Sequence, residues 1–402
     1  MTMSGSEGLS VKGECLLAFA TSDGHELWRW SDPGHPFIGG AVATDATVVV
    51  ATGASVGTAP AAVFPVTTHL SGLDASNGHE LWSRTLPEDG QSIPAVFAGS
   101  TLVVSLADGT VLGIQPTTGS TVWSDKPPAS CHLGTISAPG VNAAVVLGGT
   151  TATVEYLCAT ATSVSDPHDG MAVGLDPANG ATEWTFRPGG WVPNYQATIA
   201  SSDGTIALFG SGTSGIKGPS FRWDLGPKAY NSYEVIGVDE AAGRPLWKMT
   251  GVPVDTAVYS GSNQLCVGSQ FGVSCRAART GTQIFEWQPP VVPTQGANGG
   301  MGPAAVALAD VLYLVAPTQA ASQINPESTT QRSAPGTFRL LAIDMANGNL
   351  GLSIPLPAYY GGSNGVVVSV MTPPRIQAAG PGIVLVSPQS HETDVTEAFK
   401  TA

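Results

Sequence analysis

The sequence predicts an all-β protein: a seven-bladed β-propeller of four-stranded antiparallel blades, closed by N- and C-terminal strands that share one blade. Three observations carry that prediction. One eleven-residue pattern recurs seven times along 402 residues, and the material between copies is enough for two further strands each time. The 50 glycines and 31 prolines are spread over the whole chain, which leaves little room for helices.

The pattern first shows as GHELW, at Gly24 to Trp28 and again at Gly78 to Trp82. Its His-Glu start looks like the beginning of a zinc-binding H-E-x-x-H helix, but the second histidine is replaced by Arg29 in one copy and Ser83 in the other. Aligned on the glycine, the copies are AFATSDGHELW from Ala18, GLDASNGHELW from Gly72, GIQPTTGSTVW from Gly113, GLDPANGATEW from Gly174, GVDEAAGRPLW from Gly237, CRAARTGTQIF from Cys275 and AIDMANGNLGL from Ala342. Their mean spacing of about 54 residues suits radial β-repeats of four strands.

Each position has a physical reason. The residues before the turn alternate as a strand does. An Asp at the strand end can accept from the backbone amide two residues on, and the glycine supplies the positive φ that a side chain resists. The outgoing strand then carries a large apolar residue four positions after the glycine. The first position is Ala, Gly or Cys in every copy, small enough for an aromatic ring to lie against it.

Each blade is thus two inner strands followed by a motif hairpin. The chain opens directly on a motif hairpin and ends on an inner pair, RIQAAGPGIVLVSP, so joining the ends completes a seventh blade and removes the open sheet edges. The division expected is an N-terminal tail over 1–14, a propeller over 15–388 and a C-terminal tail over 389–402.

The pattern A-x-D-x-x-T-G-x-x-x-W resembles the tryptophan-docking repeat of the PQQ-like, or quinoprotein-like, β-propeller family, on its BamB-like, non-catalytic branch. The resemblance implies that Trp28, Trp82, Trp123, Trp184 and Trp247 stack between neighbouring blades. Phe285 and Leu352 stand at the equivalent positions and imply looser docking around the sixth and seventh motifs. The family's dehydrogenases hold PQQ in the central channel beneath a vicinal disulfide, beside a calcium ion bound by Glu, Asn and Asp. This sequence has no adjacent cysteines and no recognisable calcium set. The expectation is therefore no cofactor, with PQQ and calcium as the alternative.

A net charge of −14, from 30 acidic and 16 basic residues, argues against nucleic-acid phosphates or an anionic membrane as partners. No apolar run reaches the ~20 residues that span a bilayer, and the first residues show neither basic flank nor hydrophobic segment. Of five cysteines, Cys266 and Cys275 flank one apparent hairpin and Cys131 and Cys158 bracket another; paired, they would point to an oxidising compartment, and unpaired they are small buried apolar groups. Cys15 has no obvious partner.

Four blades carry long inserts between their second and third strands, where others have only ADGT or SQFG. In a propeller these inserts emerge on one face with the inter-blade connections, and loops lifted off a rigid scaffold are where binding surfaces grow. Aromatics gather there: Trp191 and Tyr195 in one connection, Trp223, Tyr230 and Tyr233 in one insert, Tyr359 and Tyr360 in another connection. The insert segment SDPHDG offers Asp166, His168 and Asp169 as weak metal ligands. GGSNG from Gly361 precedes a strand rather than the helix a nucleophile elbow needs, and GANGGMG from Gly296 lacks a phosphate loop's Lys-Ser/Thr. No spacing assembles an acid/base pair. The function expected is a non-catalytic binding or scaffold module in the cell envelope, acting through its loop-bearing face on protein partners or a small ligand. The alternatives are a quinoprotein-type oxidoreductase and the sensor ectodomain of a larger envelope protein.

Overall fold

The computed structural model describes residues 7–12, 15–20, 25–33, 37–54, 67–86, 95–106, 109–129, 131–132, 146–147, 150–159, 168–188, 191–193, 199–200, 204–212, 233–252, 257–269, 272–287, 305–308, 310–317, 338–356, 375–380, 383–387 and 397–400. All regular structure among these residues is β-strand, and every strand pair is antiparallel.

The chain divides into two compact units, residues 1–200 with 204–252 and residues 201–203 with 253–402. The first unit begins with a three-stranded sheet of β1 (Glu7–Lys12), β2 (Cys15–Ala20) and β3 (Glu26–Ser31). Four larger sheets follow. Sheet two is β4 (Phe37–Ala43), β5 (Thr47–Ala54), β6 (Thr67–Asp74) and β7 (Glu80–Thr85). Sheet three is β8 (Ala95–Ala98), β9 (Thr101–Ser105), β10 (Val111–Ile114) and β11 (Thr121–Asp125). In sheet four, β12 (Cys131–His132) and β13 (Val146–Leu147) share one edge of β14 (Ala152–Ala159), followed by β15 (His168–Leu175) and β16 (Thr182–Phe186). In sheet five, β17 (Trp191–Pro193) and β18 (Ile199–Ala200) share an edge of β19 (Thr205–Gly212), followed by β20 (Tyr233–Asp239) and β21 (Pro245–Val252).

The second unit holds sheet six, β22 (Ala257–Ser260), β23 (Gln264–Ser269), β24 (Gly272–Ala277) and β25 (Gln283–Trp287). Sheet seven is β26 (Ala305–Leu308), β27 (Val311–Pro317), β28 (Phe338–Asp344) and β29 (Leu350–Leu356). The last sheet has three strands, β30 (Arg375–Gly380), β31 (Ile383–Ser387) and β32 (Glu397–Lys400).

Among the described residues, six sheets of four or five strands each end in a motif hairpin, which is consistent with the six complete blades that the repeat spacing predicts. The terminal strands are arranged differently from the sequence expectation. Residues 7–12, expected as tail, form β1 and pair along β2 on the side where a C-terminal strand was expected. Residues 397–400, also expected as tail, form β32 and take the corresponding side of β31. Alternating segments near both termini therefore had enough strand character to cover an open edge locally.

The core is a series of layers between consecutive sheets. Leu16, Ala18 and Trp28 of sheet one pack with Ala41, Val48, Val50 and Leu73 of sheet two. Val103, Val111 and Trp123 of sheet three meet Val154, Tyr156, Met171 and Val173 of sheet four. Ala172 and Trp184 meet Ile206, Leu208, Ile236 and Val238. In the second unit Cys275 and Val273 meet Leu312, Leu314 and Ile343. A strand flanked on both faces loses its polar alternation, which is why all five residues of β9, TLVVS, are buried.

Candidate functional site

The motif hairpins share one geometry. Each breaks register one residue after its first position, as at Gly72/Leu73, Gly113/Ile114, Gly174/Leu175 and Ala342/Ile343, which places a β-bulge at the strand end and turns the side chains beyond it. The turn closes by an amide-to-carbonyl bond from the motif glycine to the strand-end residue, Gly78 to Asp74 and Gly180 to Asp176, both 2.8 Å. Asp74 Oδ1 accepts from the Ser76 amide at 2.8 Å, and Asp176 and Asp344 cap Ala178 and Ala346 in the same way. The Ser76 hydroxyl and amide hold the Asp74 carboxyl below its ordinary range.

The tryptophans of sheets two, three and four each occupy a slot made by two small residues. A Cβ on Gly113 would stand 2.1 Å from the Trp123 ring of its own hairpin, and one on Gly180, in the next sheet's turn, 2.7 Å from the same ring. Trp82 is held likewise by Gly72 and Gly119, and Trp184 by Gly174 and Gly243. The indole N–H then reaches the carbonyl of the residue after the strand-end position in that next turn. Trp28 donates to Ala75, Trp82 to Pro116, Trp123 to Pro177 and Trp184 to Glu240, at 2.5 to 2.7 Å. Where Cys275 takes the first position, Phe285 faces it across the hairpin and packs on Gly348 without an N–H to donate. Half-buried Leu352 faces Ala342. Trp247 stands over Gly237 of its own hairpin.

Sequence reasoning missed the side chains that reinforce these contacts. Glu240, almost fully buried, accepts from the Thr151 amide at 3.0 Å through Oε1, while its own amide donates to Gly204 and its carbonyl takes Trp184. Asp310 does comparable work between sheets six and seven, accepting from the Ser262 amide at 2.7 Å and its hydroxyl at 3.0 Å. Arg84, two residues beyond Trp82, donates to the Gly119 carbonyl and the Thr121 hydroxyl. A carboxylate in a turn looks like solvated punctuation in sequence, and only the neighbouring sheet reveals its partner.

Strand direction separates the two ends of each sheet. Motif turns and the first-to-second strand turns lie at one end. The second-to-third connections and the links between sheets lie at the other. Segments 55–66, 160–167, 213–232 and 318–337 join second strands to third strands, as do the short 107–108 and 270–271, and the strand ends that they join lie at that second end.

Of the aromatics expected there, Trp191 opens β17 opposite Gly212, and Tyr233 opens β20 opposite Ser211; both are described in backbone only. Tyr195, Trp223, Tyr230, Tyr359 and Tyr360 lie outside the described residues, as does Asp166. His168 and Asp169 were placed in an insert loop from sequence. They are instead the first residues of β15, paired with Ala159 and Cys158, because the strand runs two residues further than the polar DPHDG composition suggests. Among the described residues, no group of three His, Cys, Asp or Glu side chains is spaced to hold a metal ion.

Cys131 and Cys158 are register partners and form a disulfide, as do Cys266 and Cys275. Each crosslinks neighbouring strands rather than adjacent residues, so neither is the vicinal pair of a quinoprotein channel. Cys15 is a free, half-buried thiol. On the rim between sheets four and five lies an open groove of about 360 Å³, lined by Phe186, Pro188, Ile236, Leu246, Trp247 and Lys248. Lys248 is engaged there by Glu234 at 2.8 Å.

Residues 12–188 match the family model described as "Outer membrane protein assembly factor BamB". Among solved structures, BamB from Moraxella catarrhalis is similar over 96% of this chain and 93% of its own, at 13% identity and a TM-score of 0.51. That likeness shows the fold, a β-propeller. The quinohemoprotein alcohol dehydrogenase of Comamonas testosteroni aligns over 89% of this chain and 68% of its own, at 12% identity and a TM-score of 0.47. The alcohol dehydrogenase ADHIIG of Pseudomonas putida HK5 aligns over 84% and 61%, at 12% identity and 0.44. No curated protein matches the sequence significantly.

Proposed function

We propose that this chain, whose residues 12–188 match the family model described as "Outer membrane protein assembly factor BamB", is a non-catalytic scaffold that binds protein partners in the cell envelope through the end of its sheets that carries the inserts. The observation that supports this reading most is the distribution of chain length. The two longest connections, 213–232 and 318–337, are second-to-third connections, as are 55–66 and 160–167, while the described motif turns keep one short geometry. A scaffold that lengthens loops at one end only is built to present them. The aromatics Trp191, Tyr195, Trp223, Tyr230, Tyr233, Tyr359 and Tyr360 are the side chains proposed to make contact, since rings with polar tips anchor protein interfaces. The envelope setting rests on the family description and on two cross-strand disulfides, which persist in oxidising compartments.

The oxidoreductase alternative needs PQQ and calcium. The two disulfides here join neighbouring strands rather than adjacent residues, and no reaction step is derived through that group.

Site-specific photocrosslinking tests the proposal. A crosslinking amino acid at Trp223, Tyr230 or Tyr359 should give discrete adducts with envelope proteins, while the same probe at Ser76 or Thr117 in motif turns should give none. Equal adduct formation at both ends, or none at either, contradicts it. Saturable PQQ binding in the presence of Ca²⁺ would favour the alternative.

A further inference from the structure

The two terminal sheets have three strands each, and each completes itself with a strand from its own end of the chain. The larger sheets show the rule by which those strands are placed. In every one of the six, a residue of the second strand faces the first position of the motif on the third. Val49 faces Gly72, Val103 faces Gly113 and Thr153 faces Gly174. Ala207 faces Gly237, Cys266 faces Cys275 and Tyr313 faces Ala342. In all but β14 the facing residue is the third of its strand.

Both end strands obey this rule in another strand's place. β2 carries the motif's Ala18 and so has the place of a third strand. β1 lies where its second strand would, with its own third residue, Leu9, opposite Ala18. β31 has the place of a second strand, and β32 lies where its third would, with Ala398 opposite Leu385, the third residue of β31. Ala398 and Phe399 repeat the dipeptide Ala18 and Phe19 in the same register, and alanine is small as a motif's first residue must be. β1 therefore copies the placement of β31 on β2, and β32 copies that of β2 on β31.

The copies are weaker strands than those they imitate. β1 is EGLSVK, whereas β31 is IVLVS, richer in the β-branched and apolar residues that favour a sheet. β32 has only four residues. One face of β2 is also incompletely covered. Leu17 and Phe19 are half-buried, while Leu73, Ile114, Leu175, Val238 and Ile343, which hold the position of Phe19 in five other hairpins, are fully buried. Exchanging one antiparallel neighbour for another restores the ladder hydrogen bonds, so the side chains decide the balance.

We propose that β1 and β32 are covers over complementary edges, and that β2 of one copy of this chain takes β31 of a second copy when the covers leave. The register rule then sets Leu385 opposite Ala18, Val386 opposite Leu17 and Val384 opposite Phe19. The product is a four-stranded sheet in the order β30, β31, β2 and β3, built like the other blades, and two reciprocal junctions close a dimer. The occupant is a second copy because a chain whose own β31 reached β2 would need no cover on either edge. An in-register cover on each keeps matching edges of separate molecules apart.

The test uses whole chains in a Cys15→Ser background, which removes the free thiol. A Leu17→Cys chain is mixed with a Val386→Cys chain, each also carrying Leu9→Pro and Ser10→Pro. One of two adjacent amides in a strand faces its neighbour, so this pair of prolines unseats β1. After mild oxidation the mixture should yield a reducible dimer in which peptide mass spectrometry joins positions 17 and 386. It should yield about tenfold more than chains without the prolines, the shift that loss of one or two ladder hydrogen bonds produces. Ala398→Pro with Phe399→Pro, on the other cover, should raise the dimer in the same way, so the outcome does not hang on the folding of one variant. A link between Leu17→Cys and Val386→Cys that forms only within a single chain carrying both means that the ring closes on itself, and overturns the proposal. Absence of any such link, in chains where Leu17→Cys does crosslink to Ser10→Cys, means that the cover does not leave and overturns it too.

Discussion

Trp184 Nε1 donates to the carbonyl oxygen of Glu240 at 2.6 Å, so the docking residue of one hairpin is tied to the turn of the next sheet. The Glu240 side chain returns the link by accepting from the Thr151 amide of Trp184's own sheet. One residue therefore clasps sheets four and five through both backbone and side chain. Glu240→Ala strands a buried amide and should destabilise the protein by about 1–3 kcal/mol. Glu240→Gln keeps an acceptor oxygen and should lose much less. Chemical denaturation of the two variants checks this; equal losses would mean that the carboxylate's charge, not its acceptor, holds the sheets.

The motif glycine Gly119 is required for two separable reasons, which Gly99, in the turn between β8 and β9, tells apart. Gly99 and Gly119 both have positive φ, but a Cβ on Gly99 meets nothing within 4 Å while one on Gly119 would stand 2.6 Å from the Trp82 ring. Gly99→Ala should cost about 1 kcal/mol, from backbone strain alone. Gly119→Ala should cost about 2–4 kcal/mol, because overpacking of the ring is added to the strain. Matching losses for the two would show that Trp82 yields freely.

The two disulfides should contribute unequally. Cys131–Cys158 closes 27 residues of sequence separation and Cys266–Cys275 closes 9. Loop-closure entropy gives about 3–4 kcal/mol for the first and about 2–3 for the second. Paired Cys→Ala variants compared by denaturation should follow that order. Four of the five cysteines should resist alkylation until the protein is reduced, and free labelling of all five in the unreduced, unfolded chain would contradict the pairing.

Asp125 and Asp74 should give stability opposite pH slopes. Burial raises the Asp125 pKa, so the folded state binds its proton more tightly, and its contribution falls as pH rises from below the ordinary value of 3.8 through the raised one. The Ser76 bonds lower the Asp74 pKa, so its contribution is complete above 3.8 and lost as pH falls through the lowered value. Asp125→Asn should therefore gain stability relative to the parent at pH 7 compared with pH 3, and Asp74→Asn should lose it. Parallel pH profiles for the two variants would refute this assignment of causes.

Much of the scaffold was legible because a repeat makes each local signal count seven times. Small first residue, strand-end Asp, turn glycine and tryptophan each have a mechanism that follows from residue type and spacing alone. The indole-to-carbonyl bonds were not legible, since the acceptor is a backbone atom 34 to 56 residues away, on residues as different as Ala75, Pro116, Pro177 and Glu240. The terminal strands were misjudged for a related reason: six- and four-residue segments carry too little pattern to distinguish β1 and β32 from tails. His168 and Asp169 show the same limit, because strand pairing with Ala159 and Cys158 overrode a composition typical of turns. The candidate interface was the least legible part. Its aromatics could be picked out as residue types, but inserts have no period from which to derive their geometry.

The most direct test of the scaffold reading is to replace residues 213–232 and 318–337 with short turns of the sequence Ala107–Thr110 and to measure complex formation with envelope proteins beside thermal stability. The account predicts that the shortened protein keeps its Tm within a few degrees, because loop length costs little, and loses its crosslinked adducts. A shortened protein that is equally stable and still forms those adducts would contradict the claim that the insert-bearing end is the binding surface.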